Sequence, residues 1–224
     1  MAHSARIRSR LPPPEFLIMR ALILSGTLDE ASALRLQIPL VSDVPQAVGA
    51  NPGSDESVSA DLLDAQGNVV GHALLDAATI CAVPSGPPAP LPLVRLVSGA
   101  IPMPDGTAAL RLTWRGQIIH ESHATAGRPS VQLTWQPQGN AVSGHQIVTW
   151  KASHPDAAPL RFLLLLRLSE GLQQTVASVS GQQVDIDFDL LPSDRNARLA
   201  VVASDGFHLA SDESSPFFLG PSLG

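Results

Sequence analysis

The chain is short of the residues on which several functions depend. Cys81 is its one cysteine, so no internal disulfide can form and nothing covalent staples the fold. It lies in the apolar run "ATICAVP" with no cation nearby in sequence, which reads as a buried small side chain rather than a reactive thiolate. Lys151 is the one lysine, against thirteen arginines, and the net charge is −6. A duplex partner needs a basic surface to displace counterions, so this balance argues against nucleic acid. Arg6, Arg8 and Arg10 do cluster, but no aromatic platform interleaves with them. No stretch approaches the ~20 apolar residues of a membrane helix. There is no G-x-S-x-G elbow, no phosphate-cradling glycine loop and no G-x-G-x-x-G.

What is present points to a folded β protein. Hydrophobic residues make up 44% and charged residues 15%, a balance that buries a core. Twenty prolines and 17 glycines without a collagen-like period imply many short elements joined by turns. The start, "MAHSARIRSRLPPP", is basic but lacks the uninterrupted apolar segment of a signal peptide, and residues 1–14 are expected to be a disordered leader. The single cysteine suits a reducing compartment and a bacterial secreted protein equally.

Beyond the leader the hydrophobic period is two. "ALRLQIPLV" (33–41) alternates, as do "SVSADLLDA" (57–65) and "NVVGHALLD" (68–76) around Gln66-Gly67. "TAALRLTW" (107–114) and "QIIHES" (117–122) flank Arg115-Gly116 in the same way, each pair being a hairpin signature. "VPSGPPAPLP" (83–92) can be neither helix nor inner strand, because proline lacks the donor both require. After "TAGRPS" (125–130) come seven strand candidates: "VQLTW", "HQIVTWKA", "LRFLLLLRL", "QTVASV", "VDIDFDLL", "ARLAVVA" and "SPFFL". Their spacing is that of a β-sandwich. The expected fold is therefore all-β, two antiparallel β-sandwiches in tandem over residues 15–126 and 127–224, each with its own core.

At "TWKASHPDAAPLRF" and "RLAVVASDGFHLASDESSPFFL" the sequence resembles a fibronectin type III/immunoglobulin-like module found near the C-terminal end of large, often secreted, bacterial proteins. Trp150, Ala152, Ser153, Asp156 and Leu160 match one stretch of that module, and Ala203-Ser204-Asp205-Gly206-Phe207 match its closing hairpin turn. The likeness spans about residues 129–220 and is weaker over 16–124. His154, Ala157 and Ala158 stand where the family tends to carry Asp, Gly and Asp, and "SEGLQQT" replaces an aspartate-glycine-rich turn. The resemblance implies a spacer or interaction domain of a larger protein at the cell surface or outside the cell, with no chemistry of its own.

Candidate sites are few. In "VDIDFDLL", Asp185, Asp187 and Asp189 would share one strand face, with adjacent Cα atoms about 6.6 Å apart. That lies within the roughly 6.5–9.5 Å separating acid and base in inverting glycosidases. An open strand face supplies no raised pKa, however, so the row reads as solvated and countered by Lys151 or Arg161. In "HESH", His120 and His123 are three apart and face opposite sides of a strand, which does not make a zinc site. Asp156 and Asp205 are the better metal candidates, a calcium-like pair if their loops converge. The simpler reading gives Asp205-Gly206 a turn role alone. Trp114, Trp135 and Trp150 are either core plugs or, if exposed, a sugar-stacking platform. The expected function is non-catalytic: an interaction or spacer pair binding protein or polysaccharide. The alternatives are a small glycosidase- or esterase-like hydrolase with an Asp/His site between the domains, and a carbohydrate-binding module.

Overall fold

The computed structural model describes residues 20–37, 39–42, 57–80, 94–138 and 141–220. The leader, the proline-rich segment 83–92 and Cys81 lie outside the described residues. Within them the chain is all-β and its sheets are antiparallel.

The first eight strands are β1 (Ala21–Asp29), β2 (Leu34–Leu36), β3 (Leu40–Ser42), β4 (Val58–Leu63), β5 (Val69–Ile80), β6 (Val94–Pro102), β7 (Ala109–Trp114) and β8 (Gln117–His123). They form one 8-stranded sheet in the order β2-β1-β6-β5-β4-β7-β8, with β3 also on β1. Continuity comes from β5: residues up to Leu75 pair with β4, and those from Asp76 onward pair with β6. Alternation sends Val58, Ala60 and Leu62 of β4, Leu110 and Leu112 of β7, and Leu22 and Leu24 of β1 into one cluster. The β7–β8 turn is as expected, with Arg115 at φ 51° and Gly116 at φ 76°, the left-handed pair that suits a two-residue hairpin.

The remaining strands are β9 (Ser130–Leu133), β10 (His145–Ser153), β11 (Arg161–Arg167), β12 (Gln173–Val179), β13 (Gln183–Asp187), β14 (Asp194–Ser204), β15 (Leu209–Glu213) and β16 (Phe217–Leu219). They divide into a 3-stranded sheet, β13-β10-β9, and a 5-stranded sheet, β12-β11-β14-β15, with β16 on the start of β14. A second cluster fills the space among them. Its aromatics interlock: Trp135 stacks on Phe188 at 5.6 Å and meets the edge of Phe217, while Trp150 lies 5.3 Å from Phe162. Each such pair adds about 0.5–1.5 kcal/mol beyond the area it buries.

All three tryptophans are therefore core residues. Trp114, Trp135 and Trp150 are 2%, 8% and 3% exposed, which removes the sugar-stacking platform. Trp114 is also covered by two guanidinium groups, Arg115 at 4.2 Å and Arg95 at 5.6 Å from the ring centroid.

The two cores are not self-contained. Phe207, between β14 and β15, belongs to the first cluster and packs with residues of β1 to β7. The far half of the chain thus completes the near half's core.

Candidate functional site: a buried junction

The segment Ser204-Asp205-Gly206-Phe207 leaves the end of β14, and its groups fix it twice. Asp205 Oδ1 accepts from the backbone N–H of Phe207 (2.8 Å) and of His208 (2.7 Å), which folds the chain into a tight turn. Ser204 Oγ accepts from Gly206 N–H (3.1 Å) and from Val41 N–H (3.4 Å), and donates to Pro39 O (3.2 Å). Gly206 sits at φ +102°, and a Cβ there would lie 3.3 Å from Pro39 Cδ, so both backbone and space require glycine. The turn thereby drives Phe207 into the first core while its polar atoms bond the β2–β3 connection.

Behind the turn lies the densest buried group of chemistry-bearing side chains among the described residues. The loop after β10 supplies His154, whose Nε2 is 3.1 Å from Asp205 Oδ2; both side chains are 1% exposed. Asp156 N–H donates to His154 Nδ1 (3.1 Å), so the ring proton resides on Nε2 and is donated to Asp205. His208 Nδ1 donates to the same Oδ2 at 2.9 Å. Thr125, from the segment joining β8 to β9, places Oγ1 3.3 Å from both Asp205 Oδ2 and His154 Nε2. The joining segment is tied again where Gly127 N–H donates to Asp156 Oδ2 (2.8 Å).

Thr125, His154 and Asp205 together look like a catalytic triad, but the wiring differs. In a triad the carboxylate holds one ring nitrogen and the other takes the hydroxyl proton. Here Thr125 and Asp205 both face Nε2, which already carries its proton, and Nδ1 faces a backbone N–H. His154 therefore cannot deprotonate Thr125. His208 is oriented more like a base, with Nδ1 held by the carboxylate, yet among the described residues its ring bonds only Asp205.

Electrostatics keeps Asp205 ionised. Burial pushes its carboxyl pKa up, but the N–H groups of His208 and Phe207 and the His208 ring outweigh that and hold it below the ordinary value of 3.8. A depressed carboxyl stabilises the fold above its unfolded pKa, and that stabilisation fades as pH falls through the lower, folded value. Thermal midpoints followed from about pH 6 to pH 2 should therefore drop most steeply below about pH 4. Asp205→Asn should flatten this acid limb, even though it lowers stability at neutral pH.

The two calcium candidates are brought to one end, as the convergence of their loops required. The connection is His154, however, and the described contacts of both carboxylates are with protein donors. Among the described residues no group of three or more His, Cys, Asp or Glu is placed to hold a metal ion.

The aspartate row differs from the expected three-residue face. The strand ends at Asp187, which caps a 3₁₀ turn over Phe188–Leu190 by accepting Asp189 N–H at 3.1 Å. Asp189 instead binds Gly144 N–H (2.9 Å). Among the described contacts the counter-group is His145, on the paired strand, 3.4 Å from Asp185 and 3.5 Å from Asp187, in place of the expected Lys151 or Arg161. His120 is half-buried opposite Leu112, whereas His123 is exposed and 3.4 Å from Glu121, so the two histidines stay apart. Burial lowers the pKa of His120.

Sequence reasoning found Asp205 but missed His154, His208, Thr125, Ser204 and Phe207 as its partners. The available signal was Phe207 itself, an aromatic directly after an Asp-Gly turn in a chain with 4% aromatics. No protein-family model matches the chain, and no curated protein matches it.

Proposed function

We propose that the chain is a non-catalytic interaction and spacer unit, two β-sandwich domains over 15–126 and 127–224 that serve as an accessory region of a larger bacterial surface or secreted protein. The fibronectin III/immunoglobulin-like reading of the second is supported by its strand partition. Numbered in chain order, the first, second and fifth strands (β9, β10, β13) lie together, against the third, sixth and seventh (β11, β14, β15). That is the division of immunoglobulin-type sandwiches, with the fourth strand, β12, moved across to the second sheet.

One observation carries the functional reading: the buried Asp/His group binds itself and fastens the two cores, without opening onto a substrate. Its residues act as a pin. A spacer needs its ends held at a fixed offset, and a turn inserted into a neighbouring core supplies that better than a free linker.

The rival hydrolase reading would use His208 as base. Wild-type protein assayed on ester and glycoside substrates should give no turnover above the uncatalysed rate. Turnover that disappears in His208→Ala, at unchanged thermal stability, would establish the enzyme instead.

A further inference from the structure

The outer face of β5, β4, β7 and β8, opposite the first core, carries two rows of side chains set by the strand register. Across the sheet from β5 to β8, one row reads His72, Asp61, Arg111, Glu121. His72 Nδ1 is 2.7 Å from Asp61 Oδ1 and Arg111 Nε is 2.8 Å from Glu121 Oε2, so basic and acidic groups alternate. These side chains are 54%, 23%, 37% and 34% exposed, an ionic row open to solvent. The next row, two residues along on β5, β4 and β7 and three along β8 because of a bulge between Leu112 and Thr113, reads Leu74, Ser59, Thr113, Ile118, with Ile118 59% exposed.

Both rows complement their own reversal. A two-fold axis parallel to the strands, between β4 and β7, turns the face onto itself and swaps β5 with β8 and β4 with β7. His72 then meets Glu121 of the second copy, and Asp61 meets Arg111. In the second row Leu74 meets Ile118 and Ser59 meets Thr113, apolar on apolar and hydroxyl on hydroxyl. An axis along the rows would instead set each charge against its like. Arg111 keeps four N–H donors beyond the one given to Glu121, enough to reach a second carboxylate.

We propose that this face packs against the same face of a second copy of the chain, forming a two-fold dimer of aligned sheets. The two rows span three strand spacings, about 14 Å, so the dimer is small and reversible, with a dissociation constant in the micromolar range or weaker.

Sedimentation velocity on the full chain tests it. The weight-average coefficient should rise from monomer toward dimer between about 1 µM and 1 mM. Arg111→Asp sets a second carboxylate against Asp61 of the other copy, and Asp61→Arg sets a second guanidinium against Arg111; each should weaken self-association at least tenfold. Mixed in equal amounts, the two variants set acid from one copy against base from the other at both related contacts, and they should associate again. Ile118→Glu changes an exposed side chain only and should also weaken association at least tenfold, so it carries the test if a charge variant fails to fold. A wild type that stays monomeric throughout would overturn the proposal. So would folded variants that associate like wild type, or a mixture no better than its components.

Discussion

Replacing Asp205 by alanine is expected to lower stability by about 3–5 kcal/mol, the range seen when one partner of a buried charged network is removed. The carboxylate accepts from two backbone N–H groups and from the rings of His154 and His208, and its surroundings admit no water in exchange: its side chain is 1% exposed. Truncation strands these four donors, while Thr125 Oγ1 keeps the Gly127 carbonyl as acceptor, and each buried donor left without an acceptor costs about 1–3 kcal/mol before relaxation. In a chain of this size that amounts to a fall of roughly 10 °C in the thermal midpoint. Asp156→Ala is the internal control. Its carboxylate is exposed and bonds Gly127 N–H, so the loss should stay within about 1 kcal/mol. Equal effects at the two positions, measured by denaturant unfolding, would show that the cluster is not bonded as described.

Phe207→Ala should cost about as much, roughly 3–5 kcal/mol, but with a different signature. Phe207 is 6% exposed, and its ring is the far half's contribution to the first core. Removing it leaves the Ser204 bonds to Pro39 and Val41 without the packing that holds them in place. The wild type is expected to melt in one transition; the variant should melt in two, the first core opening ahead of the second. Calorimetry distinguishes these outcomes. A variant that still melts in one transition, a few degrees lower, would mean that Phe207 fills space without coupling the cores.

The local chemistry of this chain was legible, and its long-range meetings were not. The β7–β8 hairpin followed from alternation on either side of Arg115-Gly116, because the turn and both strands lie within a few residues. β15 was not separable, since "LASDE" carries no clean alternation; the strand exists because its backbone pairs with β14, Ala203 opposite Ala210. In "VDIDFDLL" the pattern in sequence continues to Asp189, but the Asp187 carboxylate captures Asp189 N–H and turns the chain, a choice alternation does not encode. Asp205-Gly206 was readable as a turn from its own two residues. That the turn seats His154, 51 positions away, and Thr125, 80 positions away, depends on two loops meeting across the fold. A serine, an aspartate, a glycine and a phenylalanine in a row look the same in a solvated hairpin tip as in a plug. What distinguishes them is the neighbouring core that receives the ring.

Ser204 to Phe207 makes one body of two cores, and the proposed rigid spacer depends on that union. Residual dipolar couplings of backbone N–H groups, collected on the full chain in one aligning medium, probe it without perturbing the fold. Couplings from strands β1 to β8 and from strands β9 to β16 should fit a single alignment tensor, and Phe207→Ala should split them into two. Two tensors of different magnitude in the wild type would mean that the cores move independently and that the pin does not hold.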